Sequence, residues 1–508
     1  MRNNWRDYVK KFNQNDEELI IQMFSNEEAE EWMSREVPCF ECSDKTIEEI
    51  YYFRWWLFRK HIKKTEEGRI ITEFLADVPW SGAYNSINCA GSHHLSEARW
   101  MKKDRELSRE YIDFWFRGSG DEYSYSSWMI HTVYEMAVVM DDRNMAVRYL
   151  DDFIRFYQRI ESTNFTPYGL FWSDDDRDAM ERSISGKGLR PTLNSYMYAN
   201  ALAIAKIAEW AGQSQIKEIF QIKAEKLKYK ILSMLWDKKD QFFKVIPLDT
   251  KDSRLISADF ADISEEHNVR EAIGYIPWDM GVPDTSYDEA WRFLMDEEYF
   301  RTPFGPSTAE KKHKDYMKPA DHECMWNGPV WPFATTQILN SMIRILQNEG
   351  SENVDKSDFM ALMRTYAGIH YRIREDGKKV NWLDENVDPD TGEWLSRKIL
   401  SEWKWREDKG GYERGKDYNH SAFCDLVIRG ICGVKITEEN NLVIHSLLPW
   451  GMWDYFMLED LPYKNHRITI AFDKEGSRYK KGKGMWVAVD GEKKVSTDKP
   501  AVLSLILS

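Results

Sequence analysis

Apolar residues recur three and four positions apart through most of residues 15–435, which is the spacing of one face of an α-helix. In 193–211, Leu193, Met197, Ala201, Ile204 and Ala208 share such a face. The pattern predicts helices at 46–62, 92–116, 124–140, 144–160, 193–211, 214–236, 285–296, 332–348, 356–373 and 418–431. No sequence repeat accompanies them, so a regular solenoid is not indicated.

The segments between the predicted helices are long and rich in Trp, Gly, Pro and acidic residues. They span 76–91, 163–192, 263–284, 299–331 and 374–417. Long irregular segments are uncommon in compact domains unless they build a functional site. We therefore expect a ring of roughly ten to twelve helices whose long loops meet at one end.

The pattern changes to short β-type runs toward the C terminus. These runs are "NLVIHSLLP" (441–449), "WDYFMLEDL" (453–461), "HRITIAFD" (466–473) and "GMWVAVDGEKKV" (484–495). Asp490-Gly491 is a favoured two-residue hairpin turn, and 477–484 is expected to be a solvated basic loop. A further short strand is predicted at 241–248. We expect a helical domain at 1–435 and a small antiparallel β domain at 436–508.

Charge and cysteine content exclude several classes of protein. The chain has 508 residues, a formal net charge of −15 and no long basic run or basic helix face, so a nucleic-acid partner is not expected. No apolar run approaches the ~18 residues of a membrane span, and the first residues lack a signal-peptide pattern. The six cysteines are scattered, with a lone C-x-x-C at Cys39 and Cys42. We expect a cytoplasmic protein with no cofactor, metal or membrane contact, and the oligomeric state is left open.

Aromatic residues make up 14% of the chain and include 22 Trp. Indole rings pack on the C–H faces of sugars as well as in protein cores. Four loop segments combine aromatic residues with acids, Gly and Pro, and a fifth precedes a predicted helix. They are "DVPWSGAYNSINCAGSHH" (77–94), "YGLFWSDDDRDAMERS" (168–183), "HECMWNGPVWPFATT" (322–336), "NWLDENVDPDTGEW" (381–394) and "RGKDYNHSAF" (414–423). This composition suits glycoside hydrolysis, which needs two carboxyl groups flanking a sugar.

The acidic cluster in the second segment has three interpretations. It can be a solvated loop, or Asp178 can be a catalytic acid beside an aromatic wall. Asp174, Asp175 and Asp178 also form the D-D-x-x-D pattern of diphosphate-dependent terpenoid enzymes. Those enzymes need a second metal-binding segment of the N-D-x-x-S-x-x-x-E type, which is not found in the sequence. His93 and His94, near Glu97, do not form a metal site without a third ligand.

Three of these segments together resemble a known group of enzymes. "WNGPVWP" (326–332) resembles the W-x-G-P-x-W segment of glycoside hydrolase family 63, and "DENVDPDTGEW" (384–394) is similar to the general-base segment of that family and of the family 37 trehalases. "RDAMERS" (177–183), with "RPTLNSYMYANALAIAKIAEWAG" (190–212), resembles the general-acid segment and its following helix. The resemblance spans roughly residues 50–435 and points to mannosylglycerate-hydrolase-like bacterial proteins.

The resemblance implies a mainly α fold, an (α/α)6 barrel, with a small C-terminal antiparallel β unit. It implies an inverting glycosidase that removes a terminal, α-linked gluco- or manno-configured sugar, with Asp178 as general acid, Asp176 as the alternative, and Glu385 as general base. The expected sugar-binding residues are Trp80, Tyr84, Asn85, Trp172, Arg177, Glu181, Arg190, Asn194, Trp326, Asn327, Gly328, Trp331, Tyr418, Asn419 and His420. Arg177 and Val387 depart from the family pattern. A phosphorylase is a further alternative, which the base segment disfavours.

Overall fold

The protein is mainly helical in a computed structural model that describes residues 5–249, 254–257, 259–319, 322–499 and 501–507. The α-helices span Trp5–Asn15, Ala29–Glu36, Lys45–Lys60, Gly91–Ala98, Arg105–Arg117, Met129–Met140, Arg143–Val147, Leu150–Asn164, Pro191–Trp210, Ser214–Lys230, Ile276–Asp279, Pro332–Asn348, Lys356–Gly368, Leu395–Glu402 and Cys424–Leu426. They form the predicted (α/α)6 barrel, with antiparallel sheets attached. Among the helices in the described ranges, none combines the length and apolarity needed to cross a bilayer.

The central helices are buried on nearly every side, which explains their continuous apolar sequence. Lys45–Lys60 is buried along almost its whole length, and Asp44 caps its start by accepting hydrogen bonds from the amides of Thr46 and Ile47. Pro191–Trp210 begins with proline, whose missing N–H costs nothing in the first turn of a helix. These two helices and Pro332–Asn348 match their predicted ranges closely.

Several predicted helices are shorter or divided. The range 92–116 contains two helices, because the side chain of Asp104 caps a new helix by accepting from the amide of Leu107 at 3.2 Å. The range 144–160 is interrupted near Tyr149. The range 285–296 is a 3₁₀ helix, Thr285–Phe293. In 418–431 the helix begins only at Cys424 and continues as a π-helical turn, so 418–423 is an extended approach to it.

The largest sheet has five antiparallel strands in the order Cys39–Cys42, Tyr455–Tyr463, His466–Asp473, Gly484–Val489 and Glu492–Thr497. The predicted hairpin turn is present, with φ values of 50° at Asp490 and 84° at Gly491. One edge strand comes from the N-terminal part of the chain, where Cys39 pairs with Glu459. The sheet is therefore not built from C-terminal residues alone, and a domain boundary at 435 stays a prediction.

The remaining strands are short. A three-stranded sheet contains Val434–Lys435, Asn441–Ile444 and Leu503–Ile506. Two-stranded pairs are formed by Ile62–Thr65 with Gly68–Ile71, Gly188–Leu189 with Ile246–Pro247, Trp236–Asp237 with Phe242–Phe243, Arg301–Thr302 with Gly305–Pro306, and Tyr371–Ile373 with Lys379–Asn381. The predicted strand at 241–248 is thus two separate strands. All six cysteines are free thiols.

Candidate active site

Backbone hydrogen bonds join three loop segments that are far apart in sequence. The amide of Trp326 donates to the carbonyl of Glu181 at 3.0 Å. Val330 and Val387 exchange two hydrogen bonds, each 2.9 Å long, as an isolated antiparallel bridge. These contacts bring the acidic segment, the W-x-G-P-x-W segment and the predicted base segment together, as the sequence analysis expects.

The fifth segment, 414–423, closes the same site. The amide of Asp417 donates to the carbonyl of Leu383, and the amide of Asn419 donates to the carbonyl of Glu73, both at 3.0 Å. Glu73 follows the hairpin Ile62–Thr65 and Gly68–Ile71. The hairpin therefore delivers an acidic side chain that no predicted segment contains.

A cavity of about 580 Å³ opens where these segments meet. Six acidic side chains line it: Glu73, Asp174, Asp176, Glu181, Glu323 and Glu385. Its aromatic walls are Phe74, Trp80, Tyr125, Trp331 and Tyr418. The volume lies within the range of small-molecule sites, and the mixture of flat rings and hydrogen-bonding groups suits a sugar.

Glu385 is fully buried at the cavity wall and is bound by an arginine. Arg414 donates from Nη1 to Oε1 of Glu385 and from Nη2 to Oε2 at 3.3 Å. The same Nη2 reaches Glu323 Oε1 at 2.9 Å, and the Cys324 thiol lies 3.4 Å from Glu385 Oε2. The guanidinium thus fixes the orientation of Glu385 and compensates its charge.

Glu181 is half-buried at the same cavity and pairs with no cation among the described residues. Burial raises its pKa to about 8, with further increases from the negative charges of Glu385, Asp176 and Glu73. Its neighbours Ala179 and Arg182 have φ values of 58° and 64°, which is uncommon for residues with a side chain. Such local strain is found most often at functional sites.

Glu73 is a third carboxyl group in the cavity wall. The hydroxyl of Tyr418 donates to Oε1, and the Cys89 thiol lies 3.2 Å from Oε2. Burial raises the pKa of Glu73 to about 7, although both hydrogen bonds oppose the increase. Glu73 therefore exchanges its proton near neutral pH.

Asp178, the predicted general acid, points away from the cavity. Its side chain has no exposed surface and forms an ion pair with Arg190, from Nε to Oδ2, at 2.5 Å. Its other oxygen accepts from Ser126 at 2.6 Å and Ser173 at 3.0 Å. Both carboxylate oxygens of Asp178 accept hydrogen bonds from within the protein. A proton donor to substrate would instead be expected to face the cavity. Among the described residues, Asp174, Asp175 and Asp178 are not grouped as ligands of a metal ion.

The structure divides the predicted site residues into two groups. Lining the cavity are Trp80, Arg177, Glu181, Trp331, Glu385 and Tyr418. Outside its lining lie Asp178, Tyr84, Asn85, Trp172, Arg190, Asn194, Trp326, Asn327, Gly328, Asn419 and His420. Asp176, the alternative acid, lines the cavity but is exposed.

Four predicted asparagine ligands hold loops in place. Asn85 and Asn327 each donate to two backbone carbonyls, at 2.9–3.2 Å. Asn194 also donates to two carbonyls, at 2.7 and 2.8 Å, and accepts from an amide at 2.7 Å. Asn419 donates to the carbonyl of Thr72 at 3.3 Å. These amides position the loops that carry the cavity residues.

Other predicted ligands pack behind the cavity wall. Trp326 stacks on Trp331 with ring centroids 4.6 Å apart, and His420 stacks on Tyr418 at 3.9 Å. Gly328 has φ 152°, and a Cβ there would lie 2.9 Å from neighbouring side chains, so glycine is required by the tight turn.

Tyr84 and Trp172 lie farther from the cavity chemistry. Tyr84 has φ 58° in a short 3₁₀ turn. The Trp172 ring lies 4.3 Å from the Lys187 ammonium, as a cation–π pair. Neither residue lines the cavity.

Sequence reasoning missed several cavity residues: Glu73, Phe74, Cys89, Ser124, Tyr125, His322, Glu323, Cys324 and Lys409. Four of these lie inside segments that the sequence analysis singled out, so their position could have identified them as cavity residues: Cys89, His322, Glu323 and Cys324. Lys409 lies in the long segment 374–417 but outside the quoted motifs, and Glu73 lies outside all of these segments and carried no such signal. Across the described ranges, no three His, Cys, Asp or Glu side chains are grouped as metal ligands.

One known domain family matches most of the chain. The sequence model of the mannosylglycerate hydrolase MGH1-like glycoside hydrolase domain matches residues 83–421. A solved protein named sialidase is 36% identical, with a TM-score of 0.89 over 98% of this chain and 44% of that protein. The chain thus spans less than half the length of this relative.

Two more distant structures share the fold. One is a GH63 mannosylglycerate hydrolase from Thermus thermophilus in complex with glucose, 11% identical, with a TM-score of 0.50 over 76% of this chain and 99% of that one. The other is a GH78 family rhamnosidase of Bacillus sp. GL1, 13% identical, with a TM-score of 0.51 over 86% and 40%. The family match covers most of the chain, and the chain therefore belongs to the mannosylglycerate hydrolase MGH1-like glycoside hydrolase family.

Proposed function

We propose that this glycosidase removes a terminal neutral sugar with inversion of configuration, with Glu181 as general acid and Glu385 as general base. The observation that carries the proposal is that both carboxyls line one cavity while only Glu385 has an arginine partner among the described residues. An inverting enzyme needs one protonated and one ionised carboxyl. The different surroundings of the two groups provide this division.

Arg414 supports the role of Glu385 as the base. The guanidinium holds both oxygens of Glu385, so the carboxyl keeps one orientation with a positive charge beside it. A water molecule beside Glu385 would give up its proton to this carboxylate as it attacks the anomeric carbon.

Glu181 takes the role that the sequence analysis gave to Asp178. With a pKa of about 8 it keeps its proton at neutral pH, and its half-buried side chain faces the cavity. It would donate that proton to the glycosidic oxygen as the bond to the sugar breaks. Asp178 supports the turn below it through Arg190. For water to fit between base and sugar, the two carboxyls of an inverting pair stand roughly 6.5–9.5 Å apart.

The acidic lining favours a neutral terminal sugar. Glu73, Glu323 and Glu385 surround Arg414, whose charge is already shared by two of these carboxylates. A sugar with its own carboxylate, such as the one indicated by the name of the 36% identical relative, would be repelled there. Family membership makes an α-linked gluco- or manno-configured residue the first substrate to test.

A panel of nitrophenyl glycosides and short oligosaccharides, assayed with and without phosphate, tests this proposal. We expect hydrolysis of α-gluco or α-manno substrates that does not depend on phosphate, and proton NMR should show a β-configured first product. Turnover confined to β-linked or sialic acid substrates would contradict the substrate class. A sugar phosphate as product would identify a phosphorylase instead.

A further inference from the structure

A second groove, of about 670 Å³, lies outside the catalytic cavity. It runs along the hairpin Tyr371–Ile373 and Lys379–Asn381 and the helix Leu395–Glu402. Four cationic side chains line it, Arg372, Lys379, Arg397 and Lys398, against two acidic ones, Glu393 and Glu402. No residue of this lining is shared with the acidic catalytic cavity, and its charge contrasts with the chain's net charge of −15.

Arg372 is the unusual member of this group. Its guanidinium carbon lies 3.8 Å from the centroid of the Trp382 ring, so stacking holds it in place. Its Nε is buried and has no hydrogen-bond partner. Burial and the neighbouring charge of Arg397 lower the pKa of Arg372, and within the described ranges no carboxylate forms an ion pair with it. Arg372 is half-buried, and the charges of Glu413 and Asp384 act on it without forming an ion pair, so its guanidinium remains available to an anion in the groove.

The neighbouring cations are in a different situation. Arg397 pairs with Glu413, with Nε 3.1 Å from Oε2, and Lys398 pairs with Glu393 at 2.7 Å. Lys379 lies 4.0 Å from the ring centroid of Tyr371. They add positive charge to the groove, and of its two arginines Arg372 is the one without an ion-pair partner among the described residues. Tyr371 and Phe304 add aromatic surface on which a sugar ring can pack.

We propose that this groove is a second binding site, in which Arg372 binds an anionic group such as the carboxylate or sulfate of an acidic sugar. The fixed guanidinium offers a planar pair of donors that matches a carboxylate or a tetrahedral oxyanion. The site would hold an acidic glycan while the separate acidic cavity acts on a neutral terminal residue. The inference does not depend on which carboxyl is the catalytic acid.

Calorimetric titration with trigalacturonate, inorganic sulfate and maltotriose tests this proposal. Arg372→Gln removes the guanidinium at similar size, and Arg292→Gln is the matched control, since Arg292 is an exposed arginine paired with Glu289 elsewhere on the surface. We expect trigalacturonate to bind the native protein and the control equally, and to bind Arg372→Gln at least about tenfold more weakly, a loss of roughly 1.4 kcal/mol. Added salt should weaken the binding.

The probes separate the sources of the anion. Preference for trigalacturonate over sulfate supports an acidic sugar, and equal binding of both supports a site for small anions with the same guanidinium contact. No binding of either anion, or equal binding to Arg372→Gln, would overturn the proposal. The proposal would also be overturned if Arg372→Gln bound neutral maltotriose as much more weakly as it binds trigalacturonate. Hydrolysis of a neutral substrate by Arg372→Gln should stay at the native rate, which shows that the variant is folded.

Discussion

Arg414 binds both carboxylate oxygens of Glu385 and extends the same guanidinium to Glu323 at 2.9 Å. It lies wholly inside the protein, so its charge acts at short range and with little screening. Glu181, across the same cavity, has no such partner in the described part of the chain. One arginine therefore gives the two carboxyls different surroundings, with a cation beside Glu385 and none beside Glu181 among the described residues.

Arg414→Lys should reduce kcat by at least about tenfold, because an ammonium cannot hold both oxygens of Glu385 and also reach Glu323. Substrate affinity should change less than kcat. Arg155→Lys, at an exposed arginine paired with Asp152, is the control and should keep full activity. Steady-state kinetics measure both values. A normal kcat for Arg414→Lys would show that this arginine does not orient the base.

The pH dependence of kcat/KM should lose activity on the alkaline side near pH 8, where Glu181 gives up its proton. The general acid acts only when protonated, so activity falls as pH rises through that value. Glu181→Gln should remove this alkaline limb from whatever activity remains. A native profile that stays flat to pH 10 would contradict the assignment.

Glu181→Gln should raise the melting temperature most at alkaline pH. The folded-state pKa of Glu181, about 8, lies above the value of 4.5 expected for an exposed glutamate. Between pH 4.5 and pH 8 the unfolded chain releases a proton that the folded protein retains, so the free energy of unfolding falls as pH rises. Above pH 8 the destabilisation caused by Glu181 is complete and no longer changes. Calorimetry should therefore show a larger increase in the melting temperature of Glu181→Gln at pH 9 than at pH 5. An increase at pH 5 alone would contradict the raised pKa of Glu181.

Asp178→Asn should have the opposite effect on stability. It leaves Arg190 buried without its ion-pair partner, and breaking a buried pair costs about 3–5 kcal/mol. Asp178→Asn should lose activity and also unfold at a lower urea concentration than the native protein. Glu181→Gln, three residues away, should lose activity without losing stability. Urea unfolding of the two variants beside the native protein distinguishes a structural aspartate from a catalytic glutamate.

Trp331→Ala should raise KM by about tenfold, since the indole lines the cavity and stacking on an aromatic ring is worth roughly 0.5–1.5 kcal/mol. Trp450→Ala removes an exposed indole outside the cavity and is the control. Equal KM values for both variants would exclude Trp331 as a sugar platform.

The sequence predicted the fold class and the meeting of distant segments because their Trp, Gly and acid content is typical of loops that build a site. It predicted Glu385 as the base, which stays a prediction. It named Asp178 or Asp176 as the acid, while Glu181 was expected only to bind sugar. These residues lie within one irregular turn, where left-handed residues such as Ala179 and Arg182 reverse the direction of side chains. The choice depends on Arg190, whose contact with Asp178 forms only in the folded chain.

Glu73 illustrates a second limit of the sequence. It reaches the cavity through a hydrogen bond between its carbonyl and the amide of Asn419, a contact across most of the chain. The prediction of a single helix at 92–116 was wrong for a local reason. The apolar periodicity continues across the break between the two helices, and only the capping side chain of Asp104 marks where the second one starts. The periodicity of apolar residues therefore predicts neither long-range contacts nor helix starts that depend on a single capping side chain.

The dependence of turnover on the leaving group tests the division between Glu181 and Glu385 most directly. Native enzyme, Glu181→Gln and Glu385→Gln are compared on a dinitrophenyl glycoside, which needs no protonation to leave, and on an alkyl glycoside of the same sugar, which does. We predict that Glu181→Gln retains most activity on the dinitrophenyl substrate and loses about 10²–10⁴-fold on the alkyl one, while Glu385→Gln loses activity on both. Equal losses on both substrates for Glu181→Gln, or near-native turnover by Glu385→Gln, would contradict the account.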